Sequence, residues 1–138
     1  MARAAGLHPD HWYPVACSNR LRQGQVIETK FLDRPIAVFR GADGKVGAIE
    51  NRCAHRQLKL SLGAVQGCTL VCAYHGWAYD TSGRCVSVAH DTFGKSIDRI
   101  RVGSFPVRER YGLIWIFPGA PARASQTPMP EIPELEAP

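Results

Sequence analysis

Asn51-Arg52-Cys53-Ala54-His55-Arg56, followed by Cys72-Ala73-Tyr74-His75-Gly76-Trp77, decides how the rest of this sequence is read. The pattern is C-x-H, sixteen residues, then C-x-x-H, so each of two short loops brings one cysteine and one histidine. Thiolate and imidazole together are metal ligands: the soft sulfur shares charge with a transition metal, and the imidazole is a borderline nitrogen donor. Zinc also takes Cys₂His₂, but a finger groups cysteine with cysteine and histidine with histidine. The mixed loops here favour an iron–sulfur cluster over structural zinc. Gly63 and Gly76 flank the loops and let backbone approach a bound group. Tyr74, Trp77 and Tyr79 crowd the second loop, which suits a shielded centre.

Outward from these loops the chain is ordinary. Its 138 residues hold one domain with a real core, at 45% hydrophobic and 21% charged. Five cysteines are an odd number for a disulfide framework, and two of them already sit beside histidines. Cys17, Cys68 and Cys85 read as small buried hydrophobes or unreactive thiols. The net charge of +5 comes from scattered Lys and Arg with no basic helix or stripe, which argues against nucleic acid and suits an acidic redox partner. No run is long enough for a membrane span, and residues 1–10 hold no apolar signal core. A cytoplasmic location is the expectation.

Glycines and prolines punctuate short runs of β-branched and aromatic residues, the pattern of an all-β, antiparallel domain. Strands are predicted over residues 25–31, 35–40, 46–50, 69–73, 77–80, 85–88, 104–109 and 112–117. Asp43-Gly44 and Ser82-Gly83 supply turns. Residues 10–16 and 18–21 are expected to give a strand and a short turn. In the last strand Leu113, Trp115 and Phe117 alternate with Ile114 and Ile116, so both faces are apolar and the strand should be buried on both sides. Helices should be minor. From Pro118 the composition changes: six prolines by Pro138 and no apolar periodicity mark residues 119–138 as a linker or an arm lying across a surface. Residues 1–118 form the domain.

The two loops resemble those of Rieske non-heme iron oxygenases. The likeness extends to Trp12-Tyr13-Pro14-Val15-Ala16, Val38-Phe39-Arg40 and Arg110-Tyr111-Gly112-Leu113-Ile114-Trp115, and so spans about residues 10–120. Within the family the chain is most similar to vanillate demethylases and chlorophyllide oxygenases. The resemblance implies antiparallel sheets with a small two-loop cluster-binding subdomain and a Rieske [2Fe–2S] cluster. Cys53 and Cys72 would hold the inner iron, with His55 and His75 on the outer one. Arg56, Tyr74, Gly76, Trp77 and Tyr79 would surround these ligands. Two neutral imidazoles in place of two thiolates make the cluster less negative, so the potential lies at roughly −150 to +300 mV rather than about −400 mV. It further implies a reductase or ferredoxin as electron donor and a mononuclear iron, in a catalytic domain or neighbouring subunit, as acceptor.

Departures from the pattern are informative. Gln57 stands where the family often has glycine. Leu58 and Tyr74 replace the disulfide cysteines of respiratory Rieske proteins, and Trp77 replaces a serine that there donates to a bridging sulfide. The potential should therefore lie low in the Rieske range, with Tyr79 partly compensating by a hydrogen bond to a cysteine sulfur.

An oxygenase also needs a 2-His-1-carboxylate iron site. His8, His11 and His90 are the histidines left, and they read as solvent-facing residues. No catalytic residues are assigned. The expectation is one-electron transfer by the N-terminal Rieske domain of an oxygenase component whose catalytic domain is not in this chain. A free-standing Rieske ferredoxin and a zinc-stabilised interaction module are the rivals.

Overall fold

Asp43 and Gly44 do turn the chain: Asp43 Oδ1 accepts the Lys45 N–H at 3.0 Å, and Gly44 takes the left-handed φ of 84° that the reversal requires. They join the hairpin on which the other elements lean. The computed structural model describes residues 11–31, 33–54, 58–73, 76–87, 100–119 and 121–129. In chain order they form β1 (Tyr13–Cys17), β2 (Val26–Phe31), β3 (Arg34–Arg40), β4 (Val46–Glu50), β5 (Ala64–Gln66), β6 (Thr69–Val71), β7 (Ala78–Tyr79), β8 (Cys85–Ser87), β9 (Ser104–Phe105), β10 (Val107–Arg110), β11 (Leu113–Ile116) and the short helix α1 (Pro121–Ala124). Single 3₁₀ turns occupy Ser18–Arg20 and Leu60–Leu62.

Three antiparallel sheets result, in the orders β1-β11-β10, β2-β3-β4-β9 and β5-β6-β7-β8. The second is the middle layer, and β3 shows why. Ile36 and Val38 point to one side, Ala37 and Phe39 to the other, and all four are fully buried. Ile36 and Val38 pack with Ile114 and Ile116 of the first sheet. Ala37 and Phe39 pack with Leu60, Leu70, Cys53 and Cys72 on the loop side. A strand buried on both faces must be apolar throughout, and this one is.

The alternation expected in the last strand holds. Ile114 and Ile116 face the middle sheet, while Trp115 and Phe117 face a separate cluster with Trp12, Ala124 and Met129. That cluster is closed by residues 121–129, which cross the outer face of the first sheet; the Trp12 indole N–H donates to the Thr127 carbonyl at 3.0 Å.

Several expectations need correction. The strand predicted over 104–109 is two strands, because Pro106 has no N–H for a ladder and the chain changes sheets there: β9 pairs with β4, β10 with β11. The strand over 69–73 ends at Val71, where the chain leaves the ladder to form the second loop. β5 was not foreseen. Cys17 and Cys68 are exposed rather than buried, one at the end of an edge strand, the other in the Gly67-Cys68 turn; Cys85 is buried as expected.

Arg40 ties the middle sheet to the first. Its guanidinium grips both Glu109 carboxylate oxygens, at 3.0 and 2.7 Å, and donates to the Leu21 and Gly44 carbonyls. The Arg40 hydrogen bonds hold the Glu109 carboxyl below its usual range. A depressed carboxyl contributes stability above its unfolded pKa and loses it as pH falls through the folded value. Glu109 is partly exposed, so screening keeps the contribution to no more than about 1 kcal/mol. Urea unfolding at pH 7 and pH 3 should therefore show a smaller acid loss in Glu109→Gln than in the unsubstituted chain; equal losses would mean the pair carries no pH-dependent stability.

Candidate metal centre

The two ligand loops are built alike. The Cys53 N–H donates to the Leu58 carbonyl at 2.7 Å and the Cys72 N–H to the Trp77 carbonyl at 2.8 Å, so each loop closes five residues beyond its cysteine. In the second, the Gly76 N–H also returns to the Cys72 carbonyl at 3.1 Å, with Gly76 at a left-handed φ of 72°. Both cysteines lie at the buried base of their loops, 1% and 3% exposed, in one core cluster with Phe39, Trp77 and Tyr79. His55, Arg56, Gln57, Tyr74 and His75 lie outside the described residues, as do His8 and His90.

Gly63 explains how the loops are kept together. A Cβ on it would run into the Val71 carbonyl, so the 3₁₀ turn after the first loop rests directly on the strand that leads into the second. Here glycine is a packing requirement, not a flexible joint.

Tyr79 joins β7 to the first loop. Its hydroxyl accepts the Ala54 N–H at 3.0 Å and lies 3.2 Å from Cys53 Sγ. With the Ala54 N–H already directed at the oxygen, the phenol proton is free for the sulfur. Burial, reinforced by the Cys53 hydrogen bond, raises the Tyr79 pKa far above the ordinary value, so the phenol stays a donor at any working pH. This is the bond to a cysteine sulfur expected of Tyr79. Two buried thiols with a preplaced O–H donor fit a deprotonated, metal-bound sulfur: a buried thiolate is costly unless it is ligated and hydrogen-bonded.

Asn51 is the residue whose role the sequence did not reveal. It is the buried polar residue of the described core, at 2% exposure. Its Nδ2 donates to Glu28 Oε2 and Ser61 Oγ, both at 2.9 Å, and its Oδ1 accepts the Ser61 N–H at 2.8 Å. Lys59 pairs with the same Glu28 at 3.2 Å. Residues on both sides of the first loop are thus fastened to β2. An asparagine two places before the ligand cysteine was the available signal, but its partners are 10 and 23 residues away.

The comparisons agree with this geometry. The family model described as the Rieske [2Fe-2S] domain matches residues 11–100. The chain is 47% identical to the 4beta-methylsterol monooxygenase of Methylococcus capsulatus across 97% of its own length, and 36% identical to the chloroplastic chlorophyllide a oxygenase of Arabidopsis thaliana across 92%. It spans 37% and 22% of those two relatives. The crystal structure of apo dicamba monooxygenase superposes with a TM-score of 0.85 at 37% identity, over 94% of this chain and 40% of that one. A single family model covers both cysteine loops, and the chain belongs to the Rieske [2Fe–2S] domain family, whose cofactor is a [2Fe–2S] cluster.

Proposed function

We propose that this chain is the electron-relay domain of a Rieske oxygenase component. It would take single electrons from a reductase or ferredoxin and pass them to a mononuclear iron in a catalytic domain or neighbouring subunit. Cys53, His55, Cys72 and His75 are the proposed ligands, in a domain of residues 1–118, with 119–138 as a linker or an arm lying across its surface. A Rieske cluster, when bound, supplies one-electron storage at a potential above that of all-cysteine clusters. The chain's own residues do the rest. Cys53 and Cys72 fix one side in the core, Tyr79 donates to the Cys53 sulfur, Phe39 and Trp77 exclude water, and Asn51 holds the first loop in place.

The observation that carries the reading is the pair of matched loops with the Tyr79 donor at Cys53. The relatives support it from another side. A methylsterol monooxygenase, a chlorophyllide a oxygenase and dicamba monooxygenase are named for unlike molecules, yet each resembles this chain over nearly all of its length. A part shared across such different substrates is suited to supplying electrons rather than recognising substrate. Among the described residues no helix is long and apolar enough to cross a membrane. Cys17 and Cys68 are exposed thiols outside the proposed ligand set, which suits a reducing compartment, and we place the protein in the cytoplasm.

Iron and acid-labile sulfide analysis with EPR of the reduced protein tests the centre itself. A Rieske signal is expected, retained in His90→Ala and lost in His75→Ala; zinc without sulfide, or equal loss in both variants, would overturn the ligand set. Tyr79→Phe removes a donor that favours the more negative, reduced state, so the midpoint potential should fall. A difference of about 1 kcal/mol between oxidation states corresponds to about 40 mV for one electron, and voltammetry would show it. An unchanged potential would mean the phenol does not reach the ligand sulfur. Asn51→Ala leaves the buried Ser61 N–H without its acceptor and removes one of the donors to Glu28, at about 1–3 kcal/mol. It should lower the urea midpoint and speed cluster loss to a chelator; a variant that keeps its cluster as long as the unsubstituted chain would refute the anchoring role.

A further inference from the structure

The ladder behind β8 holds two like charges where a sheet tolerates them least. Arg84 and Arg101 face each other across an antiparallel bridge. The hydrogen bonds on either side, Cys85 N–H to Ile100 O at 2.9 Å and Val102 N–H to Gly83 O at 2.8 Å, make this a non-hydrogen-bonded pair. That is the narrow position of an antiparallel ladder, where opposed side chains leave one face at their closest spacing. Gly83 fixes the register: its φ is 84°, and a Cβ there would strike the Val102 carbonyl. Cys85 and Val102 point inward, 4% and 6% exposed, into the core that holds Cys53, Cys72 and Tyr79. The two arginines point outward and are exposed.

Like charges directly opposed destabilise a ladder. Among the described residues neither arginine forms an ion pair. Asp80 acts on Arg84, but its Oδ1 is occupied by the Ser82 N–H, the Ser82 hydroxyl and the Arg84 N–H in the turn after β7. Among the described residues, the carboxylate that acts on Arg84 is thus committed to a turn. Beside them a groove lined by Ser82, Arg101, Gly103 and Ser104 offers hydroxyl groups, and Val86, the extra residue of a bulge in β8, is 45% exposed. Paired cations, hydroxyls and one apolar side chain suit an acidic protein surface.

The loop side differs in chemistry. Arg52 pairs there with Glu50 at 3.6 Å and Lys59 with Glu28 at 3.2 Å, while Leu58 and Leu62 are 39% and 69% exposed. The ladder also lies close behind the cysteines: Cys85 is the cross-strand partner of Tyr79, whose hydroxyl reaches Cys53.

We propose that the outer face of the Arg84–Arg101 ladder is the docking surface for an acidic one-electron donor protein, with the two guanidinium groups receiving its carboxylates. This rests on the relay reading above. The donor's reduced centre loses one electron and the domain gains one, with no bond made or broken.

The test uses the cluster-loaded full chain and an acidic plant-type [2Fe–2S] ferredoxin as probe, both oxidised, with affinity read by calorimetry at two salt concentrations. Binding should weaken with salt. R84E/R101E should weaken it by about tenfold or more, the neutral pair R84Q/R101Q by less, and R20E/R22E, with the same charge change on another face, by less than about threefold. No binding by the unsubstituted chain, equal losses from R84E/R101E and R20E/R22E, or a loss produced by R52E/K59E instead, would each overturn the proposal. EPR keeps the two readings apart: an unsubstituted chain without a Rieske signal fails as a relay, whereas the docking surface stands or falls on the affinities.

Discussion

The contact between Gly63 and the Val71 carbonyl sets the spacing on which the metal centre depends. Two loops that would each supply half of the proposed ligand set must sit at one separation, and here backbone meets backbone with no side chain between. The sheet carrying the second loop could not hold that separation alone. Its strands are two or three residues long, below what sustains an independent sheet. It leans on the middle layer through Ala37, Phe39 and Ile49, and burying Phe39 alone contributes about 1.5–3 kcal/mol. The ordinary part of the fold exists, in energetic terms, to hold up the small part.

Burial then governs the chemistry. Cys53 and Cys72, the proposed ligands, are placed where a bare thiolate would be unstable, so a bound metal and the Tyr79 phenol would compensate together. Because Tyr79 also accepts the Ala54 N–H, the donor is aimed by the loop it supports. Asn51 does the corresponding work on the far side of that loop, where Glu28, Ser61 and Lys59 form one network. A fully satisfied buried network specifies a single arrangement, which a ligand site needs more than it needs added stability.

The sequence made legible whatever depends on local pattern. Alternation in residues 113–117 fixed the two faces of β11, and the cysteine–histidine spacing marked the loops, because both are short-range signals. What escaped it is non-local. The sequence reads as one strand through Pro106, because the crossing to another sheet there depends on pairing with β4 and β11. Three-residue β5 has too little periodicity to register, and it is a strand because β6 pairs with it. Cys17 and Cys68 look apolar in isolation, and only their places at a strand end and a turn expose them. Asn51 and the Arg84–Arg101 pair need the register between distant segments before they mean anything.

That register also separates two kinds of surface by physical chemistry. Among the described residues around the first loop, Arg52 and Lys59 are paired with Glu50 and Glu28, and Leu58 and Leu62 are the exposed large apolar side chains. An apolar contact of that kind is insensitive to salt and suits a lasting association within an assembly. The Arg84–Arg101 ladder presents charge, which raises encounter rates and is screened within about 10 Å at 0.1 M salt. Fast, salt-sensitive contact is what a carrier that must arrive, deliver and leave requires. In the proposed relay, charge on this ladder would serve the transient contact without engaging the apolar surface of Leu58 and Leu62. The net charge of +5 is then better understood through where two arginines are fixed than through its total.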